Sequence, residues 1–572
     1  MIPNPKSPFS DTTGDTDAVA RVRTYHQRTK HLPGHFSQGP GYLDWANQPD
    51  PFRRFSATRM VELPLIPDDG TPPYDSLFQT KERSPQPLTT ESLSLFLELS
   101  LGLTAWKEFE GTRWALRSNP SSGNLHPTEG YVVLPPLASL SDRGGVYHYA
   151  PREHALEQRC ILNKAAMSTP AAVLPAGVFL VGLTSVHWRE AWKYGERAYR
   201  YCQHDVGHAL GALCIAAAAL GWRVALVSTL SDTEVAGLLG VDRTTDFNDV
   251  EAEHPDLIAT VITDPASAVT PNLTKGLVAG VRASHWAGKA NRLSPDHVDW
   301  AEIAAVEDAT VKPHTASLPV RDLAASSNPA QRPIRDIPRS AAIIRQRRSA
   351  VDMDARTGLS CDAFFGMLAR TLPGRSHPPW TAFHFPTRIH LCLFVHRIDG
   401  LSPGLYVLVR DEARLDAFRT ACHDRFTWGH VESSCMPLYA LALGDCQEAA
   451  AHASCFQAIA GDSAFSLGMV ADFTRTLEED GAWAYRRLFW ETGLIGQVLY
   501  LEAEAAGVRS TGMGCYFDDV VHQLFGIDLS DDAWQSLYHF TVGGAVDDDR
   551  LTTLPAYGHL PPERTSLGRS GI

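Results

Sequence analysis

The feature that most constrains this chain is a match to itself. Residues 197–242 align without a gap on residues 483–528, at a constant offset of 286 in a chain of 572 residues. Fourteen of the 46 paired positions are identical, including Ala198/Ala484, Tyr199/Tyr485, Arg200/Arg486, Gly207/Gly493, Gly221/Gly507, Asp232/Asp518, Leu238/Leu524 and Asp242/Asp528. The offset is half the length, so the sequence reads as two copies of one domain fused in tandem. Each copy of the repeat is a long apolar helix, a short connection and an amphipathic helix. A helix apolar nearly all round must be buried, and two copies bury each other best face to face, as at a two-fold interface. Fusion makes that dimer internal, an intramolecular pseudo-dimer, and lets each half lose what the other supplies.

Helical periodicity at 91–105 and 360–371, with strand-like runs at 131–134, 178–183, 389–395 and 438–443, predicts an α+β fold. The expectation is two tandem domains, each an antiparallel or mixed sheet flanked by helices. Residues 307–340, rich in Pro, Ser and Ala, read as a linker between domains at 1–306 and 341–572. The apolar stretch 206–227 is interrupted by His208 and Arg223 and suits a buried helix better than a membrane span. With 51 basic against 65 acidic residues, nothing in the charge balance suggests nucleic acid or an anionic membrane as partner. Ten scattered cysteines without a CxxC pair suggest reduced thiols, and the N-terminus lacks a secretory pattern, so a cytoplasmic protein is expected and the Asn272-Leu-Thr274 sequon is read as chance.

Two clusters could carry chemistry. Arg117-Ser-Asn-Pro-Ser-Ser-Gly-Asn-Leu-His-Pro127 offers small hydroxyls, an amide and a glycine that lets backbone N–H groups approach a planar polar ligand. Arg345-Gln-Arg-Arg-Ser349 has the adjacent guanidiniums and hydroxyl of a phosphate clamp. On the residues alone the first also reads as an ordinary turn before a strand, and the second as a solvated basic run.

Read together with the repeat, these segments resemble the nitroreductase-like flavoenzymes, and within them the azoline dehydrogenases of SagB (ThcOx) type in a tandem-fused form. The resemblance rests on Arg347-Arg-Ser349, Pro120-Ser-Ser-Gly-Asn124, Lys193-Tyr-Gly-Glu-Arg-Ala-Tyr-Arg200 and Thr511-Gly-Met-Gly-Cys-Tyr-Phe-Asp-Asp519. Supporting segments are Tyr25-His-Gln-Arg-Thr-Lys-His31, Leu43-Asp-Trp-Ala-Asn-Gln-Pro-Asp-Pro-Phe52 and Val542-Gly-Gly-Ala-Val-Asp-Asp-Asp-Arg550. It implies FMN bound between the two copies. Arg347, Arg348 and Ser349 match the phosphate and ribityl side, and Pro120, Ser121, Ser122, Gly123 and Asn124 match the flavin-facing loop. Gly512 and Gly514 match the turn beside the ring, Arg550 is a second phosphate candidate, and the Lys193–Tyr194 pair matches the proton-accepting residues. Arg197 is expected to depress the basicity of Lys193 if it faces the same side. The second half has Phe383-His-Phe-Pro-Thr-Arg-Ile-His390 in place of a second such loop, the first half lacks an Arg-Arg-Ser, and Val351 replaces a further family arginine. One complete site per chain is therefore expected.

The activity so implied is oxidation of thiazoline or oxazoline rings in a ribosomally made peptide to thiazole or oxazole, by hydride transfer to flavin with oxygen as final acceptor, alongside a cyclodehydratase complex. An FMN oxidoreductase acting on a small molecule, and a flavin-free scaffold subunit, remain as alternatives. His204-Asp-Val-Gly-His208 has zinc-motif spacing, but the repeat copy has Trp490-Glu-Thr-Gly-Leu494, so no metal is expected.

Overall fold

The computed structural model describes residues 14–67, 69–79, 83–168, 174–267, 272–316, 338–374 and 377–566. Each half builds one antiparallel sheet, and the two sheets share their order. In the first, the strands run Ala155–Ile161, Gly145–Ala150, Thr128–Leu134, Val178–Ser185, His254–Ile262, Arg223–Leu226; in the second, Leu438–Leu443, Gly404–Leu408, Ile389–Val395, Phe465–Asp472, Trp534–Gly543, Arg509–Met513. Their central strands are buried on both faces and read as continuous apolar runs, because helices cover one face and further elements the other.

The repeated segment forms helices Ala198–Ala219 and Ala484–Ala505, which pack on each other at the centre of the molecule. They cross where the repeat pairs Gly207 with Gly493. A Cβ on Gly207 would lie 2.8 Å from Trp490 Cα, and one on Gly493 would lie 2.7 Å from Gly207 Cα. Only hydrogen fits at that crossing. The second elements of the repeat then exchange charges across it. Arg200 Nη1 donates to Asp518 at 2.9 Å, and Arg486 Nη2 donates to both oxygens of Asp232 at 2.7 and 3.0 Å. Because Arg200 is the repeat partner of Arg486 and Asp232 that of Asp518, these are one contact made twice in opposite directions, the signature of a two-fold interface.

Three sequence expectations shift. The helix expected at 91–105 is Thr90–Leu101, opened by a Thr89/Ser92 capping box and stopped at Gly102, where the chain enters the hairpin Leu103–Phe109/Thr112–Arg117. The connection inside the repeat contains an edge strand, Arg223–Leu226 or Arg509–Met513, so the apolar stretch 206–227 leaves its helix at Ala219. The linker expected at 307–340 begins within helix Ala301–Ala309, Lys312 and Thr315 pack against Leu230 and Ser228, and 317–337 lie outside the described residues. Among the described residues no helix is long and apolar enough to cross a membrane.

The two halves also trade their ends. Helix Gly14–Arg28 sends His26 to Tyr485 and Gln535, 3.2 and 3.1 Å away, and strand Thr552–Pro555 pairs with Leu103–Phe109 of the first half. Gly207→Ala is expected to destabilise the protein by about 1–3 kcal/mol, because the added methyl meets backbone that cannot rotate away. Urea unfolding of the variant beside Ala209→Gly, which only removes a methyl from the same helix, checks whether crowding at the crossing is the cause.

Candidate active site

The hairpin Leu103–Phe109/Thr112–Arg117 delivers the loop 117–127 to the boundary between the halves. In that loop Gly123, Asn124 and His126 all have positive φ, of 58°, 60° and 53°. For asparagine and histidine this conformation is strained unless surroundings fix it. Asn124 Nδ2 donates to Ala115 O at 2.9 Å, and its Oδ1 lies 3.1 Å from His126 Nε2. The Ser122 N–H and Oγ bond to Asp205 of the long helix at 3.1 and 3.2 Å. The loop is thus tied to the hairpin on one side and to the helix on the other.

Across from it, residues 347–349 leave helix Ser340–Gln346 and run beside strand Arg509–Met513, with Ala350 N–H donating to Ser510 O at 3.0 Å. The Tyr500 hydroxyl lies 2.9 Å from Ser349 Oγ and accepts the Gly512 N–H at 2.9 Å. Between the two walls opens a cleft of about 870 Å³. Pro120, Ser121, Ser122, Gly123 and Asn124 line it from the first half, and Arg347, Arg348, Ser349 and Gly512 from the second.

Lys193, Tyr194, Gly514 and Arg550 are not lining residues. Lys193 and Tyr194 sit directly behind the loop: a Cβ on Gly123 would fall 2.6 Å from the Tyr194 hydroxyl and 3.2 Å from Lys193 Nζ. Gly514 lies against the ring of Tyr201, which is 4.4 Å from that of Tyr194. Arg550 is mostly exposed and bonds twice to Asp548, a residue of the cleft rim. Arg197 is not directed to the same side as Lys193. It turns away to Asp518 Oδ2, 3.1 Å distant, and to the carbonyls of Thr29 and Gly514.

The electrostatics of the cleft are set by the arginines of its second-half wall. Arg347 donates to Arg117 O at 2.9 Å, and Arg348 to Thr104 and to the carbonyls of Arg345 and Arg347. Among the described residues neither they nor Arg117 form an ion pair with a carboxylate. Burial lowers all three guanidiniums, Arg117 and Arg348 to about 10, and they remain charged at neutral pH. Buried polar atoms without a hydrogen-bond partner also belong to lining residues: Arg117 Nε, Arg347 Nε, Asn119 Oδ1 and His126 Nδ1. The adjacent guanidiniums of Arg347 and Arg348 on one wall and a loop of small polar residues on the other fit a phosphate-bearing cofactor with a planar ring.

Several site residues escaped the sequence reading. Asp205 lines the cleft, fully buried, and burial raises its carboxyl to about 7 against the lowering bonds from Ser121 and Ser122. Glu190, one helix away, is raised by burial and then by Asp205, against the lowering influence of Lys193 and Ser121. Tyr500 and Tyr538 complete the wall. A signal for Asp205 existed: an acid inside an apolar helix, aligned with another acid, Glu491, in the repeat.

At the repeat-equivalent position the described residues fill the space. Phe383 and Phe385 are buried with ring centroids 5.2 Å apart, Phe385 packs on Trp483, and Leu226 N–H closes directly on Ala382 O. The space beside them is about 20 Å³.

His204 and His208 are not set for a metal. His204 bonds Thr492 and stacks on Tyr538, and His208 bonds the Tyr538 hydroxyl at 3.1 Å. His187, His254 and Glu307 do converge elsewhere, but the imidazoles stack at 4.3 Å and 4°, so their in-plane lone pairs do not meet at one ion.

Comparison with known proteins is consistent with this geometry. The profile described as "Nitroreductase family" matches residues 84–250 and 403–544, more than half of the chain. The nitroreductase-type protein MJ1384 of Methanocaldococcus jannaschii is 25% identical over 165 residues, 28% of this chain and 79% of that protein. The trifolitoxin-processing protein TfxB of Rhizobium leguminosarum bv. trifolii is 30% identical over 173 residues, 28% of this chain; the match spans about half of TfxB, 46%. A crystal structure of a nitroreductase-type protein from Anabaena variabilis covers 92% of this chain and 99% of its own with a TM-score of 0.66 and 22% identity, a likeness of fold.

Asp205→Asn should change the pH dependence of stability. A buried acid that holds its proton until about pH 7 binds more protons folded than unfolded between about pH 4 and 7, so stability falls as pH rises through that window. The variant should gain on the parent by up to about 1.4 kcal/mol per pH unit across the window and by nothing further above it. Urea unfolding at pH 4.5, 6 and 8 measures the difference.

Proposed function

Because the chain belongs to the nitroreductase family, we propose that it is an FMN-dependent dehydrogenase that oxidises azoline rings in a peptide to the aromatic azoles. The carrying observation is the shared cleft, with the 120–124 loop on one wall and Arg347, Arg348 and Ser349 on the other. Arg347 and Arg348 would hold the phosphate, Ser349 and the Gly512 turn the ribityl chain, and Ser121 to Asn124 would face the ring. Bound there, FMN would supply a two-electron acceptor for hydride. Closing the cleft around a planar ring excludes water and fixes the distance and angle of transfer, which is the protein's main task when the product is aromatic.

We assign the proton-accepting role to Lys193, whose Nζ stands behind Gly123 and would have to reach past the loop to the ring carbon next to the hydride donor. Tyr194, whose phenol is held protonated by burial and then by Glu190, would orient that carbon or the lysine as a donor. The peptide substrate is supported by the relation to TfxB, whose name assigns it to trifolitoxin processing, and a role beside a cyclodehydratase follows from the same reading. The collapsed twin position supports one active site per chain.

Purified protein should absorb near 450 nm and remove about 2 Da from an azoline-bearing peptide. Arg347→Ala with Arg348→Ala should release the flavin, and full retention of colour would remove the phosphate assignment. Lys193→Ala should keep the flavin and lower turnover by about 10²-fold or more. Rapid anaerobic bleaching by NADPH with no loss of mass from any azoline peptide would replace the dehydrogenase with a reductase of small molecules.

A further inference from the structure

The turn that carries Gly512 and Gly514 also carries Cys515, and its sulfur lies 3.0 Å from that of Cys455. The two cysteines come from separate elements. Cys455 follows helix Gln447–Ala453, and Cys515 lies between strand Arg509–Met513 and helix Asp518–Phe525. Hydrogen bonds on both sides of the sulfurs fix these segments in register: Gln457 Nε2 donates to Cys515 O at 2.9 Å, and Phe517 N–H donates to Ala453 O at 2.8 Å. Cys455 and Phe456 both have positive φ, 55° and 60°, so the backbone turns sharply to present the first thiol to the second.

Both thiols are partly exposed, whereas Cys160, Cys202, Cys214, Cys392, Cys422 and Cys446 are buried. The hydrogen bond with Cys455 holds Cys515 below the usual thiol range, and Arg197, which donates to Gly514 O, lowers it further. A thiolate-prone, accessible sulfur beside a second thiol has the makings of an oxidisable pair.

We infer that Cys455 and Cys515 form a thiol pair that hydrogen peroxide converts to a disulfide, three residues along the chain from the cleft-lining Gly512. The Cys515 thiolate attacks one peroxide oxygen, the O–O bond breaks, and water leaves with Cys515 as the sulfenic acid. The Cys455 sulfur then attacks that sulfur, releasing a second water as the S–S bond forms. Two thiols are oxidised by two electrons, and one peroxide is reduced to two waters. The sulfurs need to approach by about 1 Å to reach a bond near 2.05 Å, within reach of side-chain rotation. If oxygen reoxidises the flavin, peroxide arises in the adjoining cleft; this source rests on the proposed function, but the pair itself does not.

The test therefore supplies peroxide from outside. Reduced full-length protein is treated with one equivalent of hydrogen peroxide, blocked with iodoacetamide and analysed by intact and peptide mass spectrometry. The expected result is loss of two alkylatable thiols and about 2 Da, with a crosslinked peptide joining Cys455 to Cys515. Cys455→Ser should abolish the crosslink and leave a Cys515 sulfenic acid that dimedone traps, while Cys435→Ser should change nothing. Alkylation of both cysteines at peroxide levels that oxidise exposed Cys435 would overturn the inference. So would a 2 Da loss that survives in Cys455→Ser. Either failure leaves the flavin spectrum and azoline turnover untouched as separate evidence on the proposed function.

Discussion

The glycine crossing of the two central helices is the constraint from which the rest of this molecule follows. Gly207 and Gly493 let the backbones touch, and contact that close fixes the rotation of each helix as well as its distance. The rotation decides which residues face the partner. Arg200 and Arg486 then reach across to Asp518 and Asp232, and Trp490 Nε1 reaches Gln203 at 2.7 Å. Buried pairs of this kind add little net stability over a packed apolar core, but removing one partner strands the other charge. Their contribution here is register. Arg197 and Arg200 hold Asp518 ionised against burial that pushes its carboxyl up, and Asp518 in turn anchors the turn that forms the cleft wall and takes the His31 N–H.

From a symmetric centre the two halves diverge, and one pair of repeat-related residues carries much of the difference. Asp205 and Glu491 occupy the same helical position, and each grips the loop before the first central strand of its own half: Asp205 through Ser122 N–H, Glu491 through Arg388 N–H at 3.0 Å. Glu491 is also paired with the Arg410 guanidinium, so its charge is neutralised inside the protein. Asp205 has hydroxyl and amide donors only, with Glu190 nearby. The half that filled its site with Phe383 and Phe385 stabilised its buried acid with a cation; the half with an open cleft left its acid poised between charge states. That is the pattern expected when one site is kept for proton chemistry and its twin is kept for structure.

What could be read in the sequence was what repeats or what clusters. The offset of 286 gave away the pseudo-dimer because the constraint falls on contiguous helices, and the runs at 389–395 and 438–443 emerge as strands with those bounds. The walls of the cleft were legible for the same reason, since Pro120-Ser-Ser-Gly-Asn124 and Arg347-Arg-Ser349 are each local. Tyr500, Tyr538, Glu190 and Asp205 were not, because each lies within an ordinary helix or strand and gains its role only from what the fold places beside it. For Arg197 the sequence left its direction open: the chain turns at Gly195 and sends the guanidinium to Asp518 of the other half. The edge strands Arg223–Leu226 and Arg509–Met513 were hidden by their length and by the apolar helix before them.

The exchange of termini explains why the cleft cannot belong to either half alone. Strand Thr552–Pro555 completes the sheet of the hairpin that presents the 117–127 loop, and Arg348 donates to Thr104 in the same hairpin, so residues more than two hundred positions away set where that loop stands. Conversely, His26 of helix Gly14–Arg28 meets Tyr485, and Lys30 just after that helix pairs with Asp519, which ties the first half's N-terminal segment to the second half. The guanidiniums of Arg347 and Arg348 are therefore held against the first half, at Arg117 O and Thr104, by contacts that cross the pseudo-two-fold repeatedly. Burying Arg347 beside Arg348 costs folding free energy, since like charges repel and both have shed water, and the nearby Glu504 carboxylate offsets part of that cost. An anionic group bound between the walls would relieve the remainder, which is the part the proposed FMN phosphate would play.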